Sequence, residues 1–353
     1  MAGKHLAHIS IRFGVDLKEF STKMQNASRQ IAKTGRKMQG VGASITRNLT
    51  LPIVAAGGAA AKMAIDFDDS MNKIQNLVGV AAEDVAKMRD GVLALAGDTA
   101  KAPQELGDAL FVVTSAGKRG AEAMAILEQA AKASAVGMGD TTEIARALVA
   151  ATTAYGEEVL SAERASEVFF KTIQAGNLDA ESLAPNLGKV VGFAAQMGVT
   201  FDQVGANIAA YTRLGLSAEE ATTGLTAVLS AFANPTDGAR QALQRLGMTA
   251  QDVRESIADK GLAATLTDLM DATGGNIEML AEIIPNIRAL KNVLGVAGAQ
   301  GEEYLKILYE IENSTGGLAL AFKNVSDSVG FQFRQSLVDL QAAGIELGAK
   351  LFP

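Results

Sequence analysis

A comb of helix-stopping residues runs down this chain. Gly79, Gly97, Gly117, Gly137, Gly156, Gly176, Gly198 and Gly215, followed by Asn234, recur at intervals of 17 to 22 residues. Glycine enters the left-handed conformation that ends a helix without steric cost, so the comb predicts successive helices of roughly 13 to 17 residues with tight joints. The start signals agree with the stops. Asp140 with Glu143, Thr200 with Gln203 and Ser217 with Glu220 each fit a capping box, in which the cap side chain and the residue three further on satisfy two free backbone N–H groups. The whole chain has 63 alanines and no Trp, and aromatics make up only 5% of it. That composition describes helices packed closely through small side chains rather than a sheet sandwich.

The stretch PQELGDALFVVTSAG, residues 103–117, tests the reading because Phe-Val-Val-Thr is strand-like by composition. Leu106, Ala109, Leu110, Val113 and Ala116 nevertheless fall on one helical stripe, Pro103 sits where a first-turn Pro is tolerated, and Gly117 closes the segment. Helix is predicted. Phe111, Val112 and Thr114 lie off the stripe, which predicts a helix buried on more than one side. Pairs of such helices, about 40 residues each, are expected to stack as hairpins in the manner of helical arrays. Pro185 and Pro285 fall inside helical patterns and predict kinks or breaks. From Leu318 to Leu351 the apolar residues Phe322, Val325, Val329, Phe333, Leu337, Leu340, Gly344 and Leu347 are spaced near 3.6, as in one amphipathic helix. It is still apolar at Leu351-Phe352-Pro353, so a longer helical continuation is expected beyond it.

The first 50 residues differ in charge. Nine Lys or Arg against Asp16 and Glu19 give +7, in a chain whose net charge is −7, leaving −14 for the remainder. A boundary is therefore expected near residue 50, with 1–50 meeting a different partner from the rest. Residues 8–15, HISIRFGV, alternate as a short strand. After Asp16, the positions Leu17, Phe20, Met24, Ala27, Ile31, Thr34 and Met38 repeat every 3.5 residues on average, the seam of a left-handed coiled coil and a candidate oligomerisation surface. A single amphipathic helix packing on its own domain reads equally well from the same residues. Lys18, Lys23, Arg29, Lys33, Arg36 and Lys37 form the polar side, a candidate basic partner-binding face. The fold class is all-α: many short Gly-terminated helices packed as hairpins, preceded by one short strand and this amphipathic, coiled-coil-spaced helix. The expected domains are 1–50, a helical core at 51–317 and a C-terminal amphipathic helix at 318–353.

Little catalytic chemistry is written in the chain. Cys is absent, which removes thiolate nucleophiles, thiolate metal sites and disulfides, and the two histidines are His5 and His8. Adjacent acids at Asp68–Asp69, Glu157–Glu158 and Glu302–Glu303 resemble a glycosidase pair in composition, but neighbours on a helix point about 100° apart and acids are ordinary in first turns. GVGAS at 40–44 is a lone G-x-G without a preceding strand, and no P-loop, HExxH or calcium-loop pattern occurs. No catalytic residue, metal or cofactor is expected. The longest charge-free runs, between Arg47 and Lys62 and between Glu220 and Asp237, are too short and interrupted to span a bilayer, and MAGKHLAHIS lacks a signal core. A soluble protein working by shape and association is expected.

The pieces FGVDLKEFSTKMQNA, RNLTLPIVAAGGAAAKMAIDFDDSMNKIQNLVG, PQELGDALFVVTSAG, LEQAAKASAVGMGDTTEIARALVAATTAYG and LAPNLGKVVGFAAQMGVTFDQVGANIAAYTRLGLSAEEATTGLTAVLSAFANP occur in this order. In order and spacing they resemble the amino-terminal and core region of bacteriophage tail tape measure proteins, over nearly the whole length. The resemblance implies a virion component that lies in the tail tube lumen, sets tail length during assembly and leaves ahead of DNA at genome ejection. It also implies a homo-oligomer whose partners are the tail tube, baseplate or tail-tip proteins and tail assembly chaperones, made in the bacterial host cytoplasm and meeting the host membrane on ejection. Chaperoning fits a mean hydropathy of +0.16. No sequence-specific nucleic-acid binding is expected. One departure stands out: a ruler needs a continuous helix, and even fully helical these 353 residues would reach only about 530 Å. The ruler segment is expected beyond Pro353. The alternative reading is a membrane-perturbing helical protein acting after ejection, its basic N-terminal helix favouring anionic surfaces.

Overall fold

The Phe-Val-Val-Thr run is helical. Pro103 occupies the first turn, Leu106, Ala109, Leu110 and Val113 are fully buried, and Phe111 and Val112 are half-buried on the flanks. A computed structural model describes residue 29 and residues 53–297 and 301–351, and these form seventeen helices with no strand among the described residues. The helices are α1 (Ile53–Val78), α2 (Ala82–Thr99), α3 (Pro103–Ser115), α4 (Gly120–Ala135), α5 (Thr141–Tyr155), α6 (Ala162–Ala175), α7 (Ala180–Gln196), α8 (Phe201–Arg213) and α9 (Ala218–Ala233). They continue as α10 (Asp237–Arg245), α11 (Ala250–Lys260), α12 (Leu262–Ala272), α13 (Ile277–Ile283), α14 (Ile287–Ala297), α15 (Gly301–Glu312), α16 (Gly317–Ser326) and α17 (Val329–Leu351). The all-α class is thus observed. The expected strand at 8–15 and the coiled-coil seam lie outside the described residues.

Because the chain reverses at each joint from α1 to α9, every second helix returns to the same layer. The odd helices stack in series, α1 on α3, α3 on α5, α5 on α7 and α7 on α9, and α2, α4, α6 and α8 stack behind them. Helices α10 to α13 turn the corner at the far end. The last four helices then run back along the array: α14 lies on α9 and α8, α15 on α8 and α6, α16 on α6 and α4, and α17 on α2 and α1. One apolar cluster threads all three layers, from Ala64, Phe67 and Ile74 through Leu148, Phe169 and Leu229 to Ile307, Val338 and Ile345. Alanine sets the spacing in the middle of the array. Ala145, Ala147 and Ala151 of α5 are as buried as Ile144 and Leu148, so the helix is enclosed on several sides without bulk to hold its neighbours apart.

Most of the comb acts as expected, and its exceptions are informative. Gly79, Gly117, Gly137, Gly156, Gly198 and Gly215 take positive φ at helix ends. Gly97 does not stop a helix; it lies inside α2, which runs on to Thr99 and ends at Ala100 in the left-handed conformation, φ 53°. What Gly97 provides is room, since a Cβ there would sit 2.9 Å from Asp339 Oδ1 of α17. Gly176 ends α6 but in an extended conformation, φ −88°.

Of the three expected capping boxes only Ser217 with Glu220 is reciprocal. Asp140 and Thr200 cap in one direction, and the Gln203 side chain turns away to accept from the Leu262 amide. Thr249 with Asp252 forms a second full box. Pro285 breaks the chain between α13 and α14, whereas Pro185 stays within α7, on its exposed face beside exposed Glu181, where a carbonyl without its helical donor can be hydrated. The single helix expected from Leu318 to Leu351 is two: Asp327 and Ser328 separate α16 from α17, and a turn there lets the chain pass from α6 and α4 onto α2 and α1.

Candidate functional site

The sequence-derived site residues fall almost wholly outside the described residues. Of the seam and the basic face only Arg29 is described, helical and exposed. The acid pairs are structural where their partners are visible. Asp68 pairs with Arg89, whose guanidinium lies 5.3 Å from the Phe67 ring centre, and Glu303 pairs with Arg213. Each ties one helix to another.

The most elaborate polar arrangement sits where α6 meets the turn between α15 and α16. Ser161 caps α6, accepting from the Arg164 amide at 3.1 Å, and three residues of spacing put Arg164 and Glu167 on one face. Arg164 donates to the carbonyls of Ser314 at 2.7 Å, Ile311 at 3.0 Å and Glu312 at 3.3 Å, and pairs with Asp202 of α8. Glu167, only 4% exposed, accepts the amides of Gly317 at 3.0 Å and Leu318 at 2.9 Å. A cation therefore meets the carboxyl end of α15 and a carboxylate meets the amino end of α16, each opposite in sign to the helix dipole it faces. Neither end has to rely on its own sequence: Gly316, before α16, offers no capping side chain. Glu312 feels the same crowding. Desolvation, and then Asp202, push its carboxyl above the usual range, with Arg164 opposing.

Further along, Asn207 of α8 and Asn292 of α14 are buried against each other, their amides at 3.3 and 3.4 Å. Gly224 of α9 makes space for this pair, since a Cβ there would lie 3.1 Å from Asn292 Nδ2. Tyr211 donates to the Lys291 carbonyl at 3.4 Å, and the buried Tyr304 hydroxyl of α15 has no hydrogen-bond partner among the described residues. Burial pushes both tyrosine hydroxyls up, so they stay neutral. At the other end Gln335 of α17 donates to the Gly97 carbonyl at 2.9 Å. A cleft of about 480 Å³ also opens between α9 and the break at Pro285, lined by Thr222, Thr226, Ser230 and Lys189.

These interlayer ties were not legible in advance, because Glu167 and its partners stand 150 residues apart and only the fold brings them together. Among the described residues no group of three or more His, Asp or Glu is placed to hold a metal ion, and no helix is long and apolar enough to cross a membrane. The arrangement can fasten layers of helix to one another.

Residues 89–284, more than half of the chain, match the family described as phage-related minor tail protein, and the chain belongs to that family. Within tail proteins its similarity is to tape measure proteins. It is 23% identical over 343 residues to the tape measure protein of Pneumococcus phage Dp-1, covering 93% of this chain and 30% of that protein. It is 24% identical over 340 residues to the probable tape measure protein of Clostridium phage phiCD119, covering 94% of this chain and 36% of that protein. The chain thus spans about a third of the length of the curated relatives it matches. No solved structure matches it. The family places the chain in a phage tail, in a structural role.

Proposed function

We propose that this chain is the compact, non-catalytic head region of a tape measure protein. The whole protein occupies the tail tube lumen, sets tail length during assembly in the host cytoplasm and leaves when the genome is ejected. Similarity to tape measure proteins across 93% of the chain carries the reading. The fold refines it. A rod advances about 1.5 Å per residue, whereas here helices of 7 to 26 residues fold back on one another in three layers, so residue number does not become length. Measuring then belongs to a continuous helix outside the array. The array supplies a rigid body for docking on tail-tip or baseplate proteins, the tube and assembly chaperones, with residues 17–38 as the self-association seam.

Electron microscopy of tails from a phage carrying an in-frame deletion of α3 and α4 tests this. The expected result is loss of tails. Tails shortened by about 1.5 Å per deleted residue would make the array itself the rod. Tails of wild-type length from a phage lacking the whole protein would remove the length-setting role altogether.

A further inference from the structure

The returning layer is held unevenly. Its two ends are packed: α14 buries Ala289, Asn292, Val293 and Val296, and α17 buries Val338, Ala343, Ile345 and Leu347. Its middle is not. Helix α16 sends only Leu318 into the core, while Leu320 is 61% exposed on the outside. Clefts open on both sides of it, one of about 220 Å³ beside Gln129, Ser166 and Thr315, the other of about 350 Å³ beneath Phe322 and over Leu95 and Met124. Joints bound the helix as well, residues 313–316 on one side and Asp327–Ser328 on the other, and Gly316 is left-handed at φ 70°. What holds it down is mainly electrostatic: the Glu167 carboxylate on its first two amides and the Arg164 guanidinium on the carbonyls just before it. The edge-on contact of Phe322 with Phe331, centres 5.8 Å apart, ties it to α17 instead of to the layers beneath.

The geometry points to α16 as a releasable strap, latched by Glu167 and Arg164 of α6, that lifts from α4 and α6 as a unit while the two-layer array stays folded. A segment with one buried apolar anchor and two flanking clefts loses little packing on opening, and its dipole ends become free to be hydrated. Lifting it uncovers the floor formed by Leu95 and Met124, and frees the connection between α15 and α17 to lengthen. That is a means for a compact body to begin to extend from its third layer first. It is a property of this chain and stands apart from the tail reading.

Native-state hydrogen exchange on the purified chain decides it. In wild type, the amides of residues 321–326 are expected to exchange by an opening that depends far less on denaturant than the opening exposing Ala145 to Thr152 of α5. Glu167→Gln, which removes the charge and one acceptor at nearly constant shape, is expected to speed exchange in 321–326 by at least about tenfold and leave α5 unchanged. Wild-type α16 amides that exchange only with global unfolding would overturn the strap, and this holds even where the variant does not fold. So would a Glu167→Gln protein in which α16 is unaltered, or in which every helix quickens equally.

Discussion

The carboxylate of Glu167 and the amide of Gly317 meet at 3.0 Å across 150 residues of sequence. One turn earlier on the same helix, Arg164 takes the other side of the joint. Loss of Arg164 removes donors to three carbonyls at once and leaves Asp202 without its guanidinium. For Arg164→Ala we expect a loss of about 2 kcal/mol in denaturant unfolding, read as a lower midpoint at unchanged slope. Arg164→Lys should recover less than half of it, because an ammonium cannot address several carbonyls and a carboxylate in the fixed fork of a guanidinium.

Two glycines with the same backbone sign should differ when changed to alanine. Gly198 and Gly247 have φ +76° and +73°, so each Gly→Ala change meets the left-handed penalty of about 1–2 kcal/mol. At Gly247 no atom of the described residues lies within 4 Å of the added Cβ. At Gly198 the Cα and Cβ of Ala258 are both at 3.0 Å, and a backbone atom of α11 cannot step aside as a side-chain tip can. Thermal melting should therefore rank Gly198→Ala clearly below Gly247→Ala. Equal melting points would mean that α7 and α11 are not in register at that joint.

The buried face of α3 tests the helix reading directly. Leu110 is fully buried next to the strand-like run. Leu110→Ala should lower unfolding stability by about 3 kcal/mol, the cost of a buried leucine with its cavity. Phe111→Ala, at a half-buried flank, should cost less. An alternating strand would bring the opposite order, with Phe111 on the inner side.

Local signals are legible in the sequence and long-range ones are not. Stops and starts depend on a few adjacent residues, so the comb, the break at Pro285 and the Ser217–Glu220 box were all legible. Gly97 misled because its spacing suited a stop, while its function comes from Asp339 on a helix more than two hundred residues later. Gln203 is a capping residue by pattern, yet the Leu262 amide at 3.4 Å draws its side chain elsewhere. The returning layer was invisible for the same reason. Its apolar stripe from Phe322 onward was clear, but what it lies against is set by the corner at α10 to α13, and Asp327–Ser328 carries no strong stop signal.

Acidic pH should act with two signs. Glu220 and Asp252 are held below the usual carboxylate range by the amides and hydroxyls of Ser217 and Thr249, so their contribution is present above the unfolded carboxylate pKa and is lost as pH falls through the lower folded value. Asp339 is the reverse case. Desolvation, and then Asp98, push its carboxyl up, so its ionisation weakens the α2–α17 contact above the ordinary carboxylate range, and protonation relieves this as pH falls. Asp339→Asn should therefore stabilise the protein at pH 7, and its advantage should shrink toward pH 3, where Asp339 is neutral in both states. Urea unfolding at the two pH values measures the difference. A constant advantage would assign the effect to packing against Gly97 instead of charge.

The charge step at residue 50 calls for a test inside the virion. Reversing Lys18, Lys23, Arg29 and Lys33 to Glu takes the first 50 residues from +7 to −1 while the rest of the chain stays at −14. The described core cluster is built from residues 64 to 345, so circular dichroism and melting of the purified variant should keep the wild-type profile of that core. If the basic face docks on an acidic tail or chaperone surface, the same reversal turns attraction into repulsion and the variant should be missing from assembled tails. Restoring the charges one at a time should return incorporation in steps, because a patch recognised through its summed field does not hinge on a single lysine. Normal incorporation of the fourfold variant would leave that face as ordinary solvated surface.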